Sequence, residues 1–204
     1  MPRRKTLFIA EHYYHIYNRG NNRQSIFFEK ENYLYFLRGI KKYLHPVVDI
    51  LGYCLMPTHY HLLVRVKQTS EVLETSEVSM IISRAMQKLS ISYTKAINKR
   101  FDRVGALFQG AFQAKIIKND NQLQNLCIYI HINPVRDGLV DSPVDWPFSN
   151  YLDWLGERDG TLIDPDFIHH HFGTSEIYQA LVNDYIQTRI LPEDISMYVH
   201  SLEK

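Results

Sequence analysis

Cysteine is scarce in this sequence: the 204 residues hold two, Cys54 and Cys127. Both lie inside apolar stretches, where a small buried thiol is the expected role, so neither a disulfide framework nor a redox or thiolate zinc site is expected. Long hydrophobic runs are missing too. The longest fall far short of the roughly 20 residues that cross a bilayer, which argues against a membrane span. The start, Met-Pro-Arg-Arg-Lys followed by only Leu7 to Ala10, lacks the apolar core of a signal peptide, and the chain is expected to stay in the cytoplasm. A strong net charge is also lacking, at +1.

Hydrophobic residues make up 45% of the chain, enough for a sizeable core, and the length suggests one domain plus an appendage. The small net charge hides an asymmetry. Residues 1–140 carry 20 Lys and Arg against 10 Asp and Glu, or +10; residues 141–204 carry 3 against 12, or −9, and the two sum to the stated +1. A basic body suits a polyanion, because Lys and Arg neutralise phosphates and release counterions; a solvated basic face is the plainer alternative. The expected division is therefore a domain over 1–140 and an acidic, mainly helical extension over 141–204, packed on or near it and able to mask a nucleic-acid site.

Hydrophobic periodicity orders the elements. Tyr13 to Asn18 reads as a strand, broken by Asn18-Arg19-Gly20-Asn21-Asn22-Arg23, a turn whose arginines and asparagines suit phosphates and base edges. Lys30 to Leu44 keeps a helical period and is closed by His45-Pro46. Val47 to Leu55 and His59 to Val66 read as antiparallel neighbours joined by Met56-Pro57-Thr58. A polar loop from Gln68 to Glu77 precedes a long basic helix from Val78 to Arg100, and a loop carrying Arg103 and Gly110 leads to a strand from Ala111 to Ile117. A third helix, capped by Asn119 or Asp120, is expected to run through Ile132 and to stop at Asn133-Pro134. This succession predicts an α+β fold, a ferredoxin-like split βαβ antiparallel sheet with helices packed on it. In the extension, Asp166 to Phe172 and Glu176 to Ile190 read as helices, and the adjacent His169, His170 and His171 point in directions too different to share one ion.

Two clusters carry chemistry. In a strand, His59 and His61 project together while Tyr60, Leu62 and Val64 face the other way, so two imidazoles can share a divalent ion or simply line a sheet face. Tyr129 and Asn133 are four residues apart, on one helical face if the helix persists to its last turn. A phenol beside a metal-bound phosphate is a competent nucleophile, and an amide oxygen can complete the coordination; a buried tyrosine on an amphipathic helix is the plainer reading.

The His59-Tyr60-His61 motif, the run Tyr129-Ile-His-Ile-Asn133-Pro-Val-Arg-Asp-Gly-Leu-Val and Trp146-Pro-Phe-Ser-Asn-Tyr together resemble the REP-associated tyrosine transposases, IS200-like Y1 transposases of the HUH endonuclease superfamily. The similarity runs from about Tyr14 to about Gly173. The resemblance implies a ferredoxin-like, metal-dependent single-stranded DNA endonuclease and strand transferase using Mg²⁺ or Mn²⁺ and acting beside hairpin or palindromic repeats, as a monomer or weak homodimer with no membrane partner. It implies Tyr129 as nucleophile, His59, His61 and Asn133 as metal ligands, and DNA contacts among Arg3, Arg4, Lys5, Asn18, Arg19, Asn22, Arg23, Arg103, Gln109 and Lys115. The chain departs from the family pattern at Thr58, where Asn is expected before the first histidine, and at Ala111, where Arg is expected after the glycine. Two other readings stand beside this one: a hairpin-binding DNA or RNA regulator whose cutting activity is lost or incidental, and a metal-dependent hydrolase of small phosphoesters.

Overall fold

Alternation in the first strand decides how the sheet is used. The computed structural model describes residues 6–68 and 74–203. Strand β1, Tyr13–Arg19, pairs antiparallel with β3, His59–Val66, and with β4, Gln113–Ile116; β2, Val48–Met56, lies on the other side of β3, giving the order β2-β3-β1-β4. With β1 and β3 in the centre, this is the split βαβ arrangement.

Tyr14, Ile16, Tyr60, Leu62, Val64 and Ala114 share one face of the sheet and are buried. Helices α1, Lys30–Gly39, and α2, Thr75–Arg100, supply partners for that face: the Phe36 ring lies 4.9 Å from that of Tyr60, and the Tyr93 hydroxyl donates 2.7 Å to the Ile26 carbonyl. α1 continues as a π-helical turn over Ile40–Leu44, closed by a bond from the His45 amide to the Ile40 carbonyl. At Gly39 the two helices approach closely, since a Cβ there would strike the Leu89 side chain.

Most element ends lie within two residues of the sequence reading, and the larger or more telling differences fall at α2, β4 and α3. α2 starts at Thr75, inside the expected loop Gln68 to Glu77, because Glu74 and Glu77 form a reciprocal capping box. β4 is shorter than Ala111 to Ile117, with Gly110 holding a φ of 158° just before it. α3, Asp120–Arg136, does not stop at Asn133 but carries Pro134 inside it. The last carbonyls of α3 find donors beyond the proline: Asp137 to Asn133 at 2.9 Å, Gly138 to Val135 at 3.1 Å and Leu139 to Pro134 at 2.8 Å. Gly138, at φ 67°, makes that return possible.

The chain divides into two compact units, Met1–Ile50 with Leu55–Ile116, and Leu51–Cys54 with Ile117–Lys204. The second is largely helical: α3 is followed by α4, Tyr151–Trp154, α5, Pro165–Phe172, α6, Ser175–Thr188, and α7, Glu193–Glu203. Its core is aromatic, built on Tyr151, Trp154, Phe167, Phe172 and Tyr178 around the ring of His131. His169 donates from Nδ1 to the Gly173 carbonyl at the end of α5, a helix-end role. No helix among the described residues is long and apolar enough to cross a membrane.

Candidate active site

The register of the sheet collects one row of polar side chains on the face opposite α1 and α2. Across β3, β1 and β4, that face carries His59 and His61, then Arg19, Tyr17 and His15, then Gln113 and Lys115. The rings of His59 and His61 stand 5.0 Å apart at 84° to each other. Nδ1 of His59 lies 2.9 Å from the Thr58 hydroxyl, and Nδ1 of His61 lies 2.9 Å from Nε2 of His15. Engaging Nδ1 through a second protein group is how ligating histidines are usually oriented toward an ion at Nε2. The pair therefore fits a divalent transition-metal or Mn²⁺-type site, and Thr58, the departure from the family pattern, keeps a hydrogen-bonding group in place.

The loops flanking the histidines are joined to one another. Gly20 accepts no side chain, because a Cβ there would run into the Gln24 carbonyl, and this lets the 18–23 segment fold tightly beside the β2–β3 turn. Its amide donates to the Thr58 carbonyl at 2.8 Å, while Asn21 donates to Leu107 and Gln109 to Arg19, each at 2.9 Å. Asn18 is buried and spent on this join, donating to the Gly110 carbonyl and accepting from the Arg19 amide. Asn22 and Arg23, both with positive φ, and Gln109 are exposed. Arg103 packs with its guanidinium carbon 5.7 Å from the Phe28 ring centroid. Burial lowers the pKa of Lys115. Arg3, Arg4 and Lys5 lie outside the described residues.

The second unit holds Tyr129 and Asn133 on successive turns of α3, both buried. The Asn133 amide nitrogen donates 2.7 Å back to the Tyr129 carbonyl, which fixes the amide's rotation and directs its oxygen elsewhere. Burial raises the Tyr129 pKa above its ordinary value, and the charge and hydrogen bond of Arg136, followed by a hydrogen bond from Asn133, pull it part of the way back. Arg136 stands over the phenol, 5.1 Å from its centroid.

Residues 8–133 match the family described as IS200-like transposases, a span that takes in both histidines and ends on Asn133. The chain belongs to the IS200-like transposase family. It is accordingly a tyrosine transposase, an enzyme that cuts and rejoins DNA. It is 27% identical over 127 residues to a putative REP-associated tyrosine transposase of Haemophilus influenzae, covering 56% of this chain and 71% of that one. Its fold is similar to that of a REP-associated tyrosine transposase solved with a REP hairpin, with a TM-score of 0.60 and 18% identity over 80% of this chain and 98% of the other.

Two side chains of this transposase escape a reading of the sequence. His15 meets His61 only because the β1–β3 register brings positions 46 apart onto one face. Arg136 carried a signal: seven residues is two helical turns, which returns it to the Tyr129 face.

Proposed function

We propose that this transposase cleaves and rejoins single-stranded DNA beside hairpin repeats, through a 5′-phosphotyrosine formed on Tyr129. The observation that carries the reading is the His59–His61 pair, side by side on one sheet face with both Nδ1 atoms engaged by the protein. These two histidines, with the Asn133 oxygen, would hold Mg²⁺ or Mn²⁺, which when bound supplies Lewis-acid polarisation of the scissile phosphate.

The Tyr129 oxygen attacks phosphorus and its proton passes to solvent; the bond from phosphorus to the 3′ oxygen breaks and that oxygen leaves protonated. The phosphodiester energy is kept in the phosphotyrosine, so a 3′ hydroxyl from another end can reverse the step and release Tyr129. Arg136 favours the phenolate that this attack requires. Arg19, Asn22, Arg23, Arg103, Gln109 and Lys115, with Arg3, Arg4 and Lys5, hold the phosphates and bases of the strand, while Asn18 acts by fixing the loop that presents them. The relative solved with a REP hairpin supports the choice of substrate.

The test incubates the full chain and Mn²⁺ with 3′-labelled hairpin oligonucleotides and runs a denaturing gel. A labelled covalent adduct is expected, and it is absent in Tyr129→Phe. No adduct across varied repeats, or an adduct that persists in Tyr129→Phe, overturns the mechanism; tight hairpin binding without metal dependence or adduct identifies a regulator instead.

A further inference from the structure

The sheet face that carries the histidine pair holds a third imidazole that the reaction does not use. His15 is completely buried, and its ring plane lies 21° from that of His61 with centroids 5.0 Å apart. Rings so nearly coplanar, with Nε2 of one 2.9 Å from Nδ1 of the other, meet edge to edge, so the nitrogen lone pair of one lies along the N–H of its neighbour. The Tyr17 ring packs against both imidazoles, 4.9 Å from His15 at 27° and 6.4 Å from His61, and restricts their turning.

Such a contact has two proton arrangements. In one, His15 donates from Nε2 and His61 accepts at Nδ1, which places the His61 proton on Nε2 and removes the lone pair an ion needs. In the other, His61 donates from Nδ1, His15 accepts at Nε2, and His61 Nε2 keeps its lone pair. Only the second arrangement serves a metal ligand.

Resting on the metal reading above, we infer that His15 is the positioning residue for His61: as a neutral acceptor it fixes the His61 tautomer and ring angle so that Nε2 is presented to the ion. A carbonyl, carboxylate or water usually fills this role for ligating histidines; here an imidazole does, supplied by the neighbouring strand and set by register.

Two experiments on the full chain decide it. Long-range ¹⁵N–¹H imidazole spectra of the metal-free protein should show His61 protonated at Nδ1 and His15 bare at Nε2; a His61 proton on Nε2 overturns the inference whatever the variants do. Mn²⁺ titration followed by electron paramagnetic resonance of the free ion then compares wild type, His61→Ala, His15→Leu and His15→Gln. His61→Ala should abolish binding, His15→Leu should weaken it about 10–100-fold, and His15→Gln, which retains an acceptor, should recover most of the loss. If His61→Ala binds like wild type, the metal reading fails. If His61→Ala loses the ion while a folded His15→Leu keeps wild-type affinity, the role given to His15 fails and the metal reading survives. Should His15→Leu not fold, His15→Gln and the imidazole spectra still decide.

Discussion

Arg136 lies two helical turns beyond Tyr129, with its guanidinium carbon 5.1 Å from the centre of the phenol ring. With Tyr129 as the proposed nucleophile, the pair predicts a pH dependence of cleavage. Removing the cation in Arg136→Met leaves burial, the largest influence on Tyr129, less opposed, so the phenol pKa rises further. An exposed cation over an aromatic ring contributes about 0.5–1 kcal/mol, which corresponds to single-turnover cleavage roughly 2–5-fold slower at neutral pH. The alkaline rise of the rate profile should move upward, and the deficit should shrink at higher pH; a uniform loss at all pH values would contradict this.

His131 gives the second unit a pH dependence of known sign. The Asn150 amide oxygen accepts from the Tyr53 amide at 2.7 Å and from His131 Nε2 at 3.0 Å, so the His131 proton is on Nε2 and Nδ1 accepts from the Tyr178 hydroxyl at 2.6 Å. Complete burial lowers its pKa to about 4. The folded value lies below the unfolded 6.5, so the unfolded chain takes the proton first: the stabilisation is full above about pH 6.5 and is lost as pH falls toward 4. The loss is on the order of 3 kcal/mol. Urea unfolding should show a loss of stability between pH 7 and pH 4.5 in wild type, and His131→Gln should remove about 2 kcal/mol of that loss.

Asn150→Ala should be among the most destabilising single changes. It strips partners from the Tyr53 amide and the His131 ring, two buried groups at about 1–3 kcal/mol each, and leaves the Leu51 carbonyl with Trp154 alone. Urea melts should show a fall of about 3 kcal/mol or more with an unchanged m-value.

Arg23 is exposed on the loop that Gly20 lets fold tightly. Arg23→Ala should weaken hairpin-oligonucleotide binding across sequences and reduce the slope of log affinity against log salt by about 1. A changed sequence preference at constant slope would point to base reading instead.

The sheet and the long helix α2 were legible because their patterns are regular: the buried positions keep the helical spacing of Ile82, Met86, Leu89 and Tyr93, and Tyr14, Ile16, Tyr60, Leu62 and Val64 keep to one sheet face, although His15, His61 and Leu63 on the other face are buried as well. The end of α3 was not legible, since the rule for Asn133-Pro134 is local while the bonds that carry the helix to Arg136 come from Asp137, Gly138 and Leu139. At the proposed site, spacing within single elements pairs His59 with His61 and Tyr129 with Asn133, while the roles proposed for them come from the family motifs. His15 has no such signal, because its meaning depends on strand register, and Asn150 has none, because its partners at Leu51 and Tyr53 lie about a hundred residues away.

β2 is the edge strand of the sheet, and the Asn150 side chain pairs with it as a peptide would, donating to the Leu51 carbonyl and accepting from the Tyr53 amide. Trp154 donates to the same carbonyl, and Ser149 bridges to Cys54. An open strand edge is a template for pairing with other chains and for aggregation. The Trp146-Pro-Phe-Ser-Asn-Tyr motif thus occupies the middle of that template, and at Leu51 and Tyr53 the open edge of β2 is closed by an asparagine side chain in the place of a neighbouring strand.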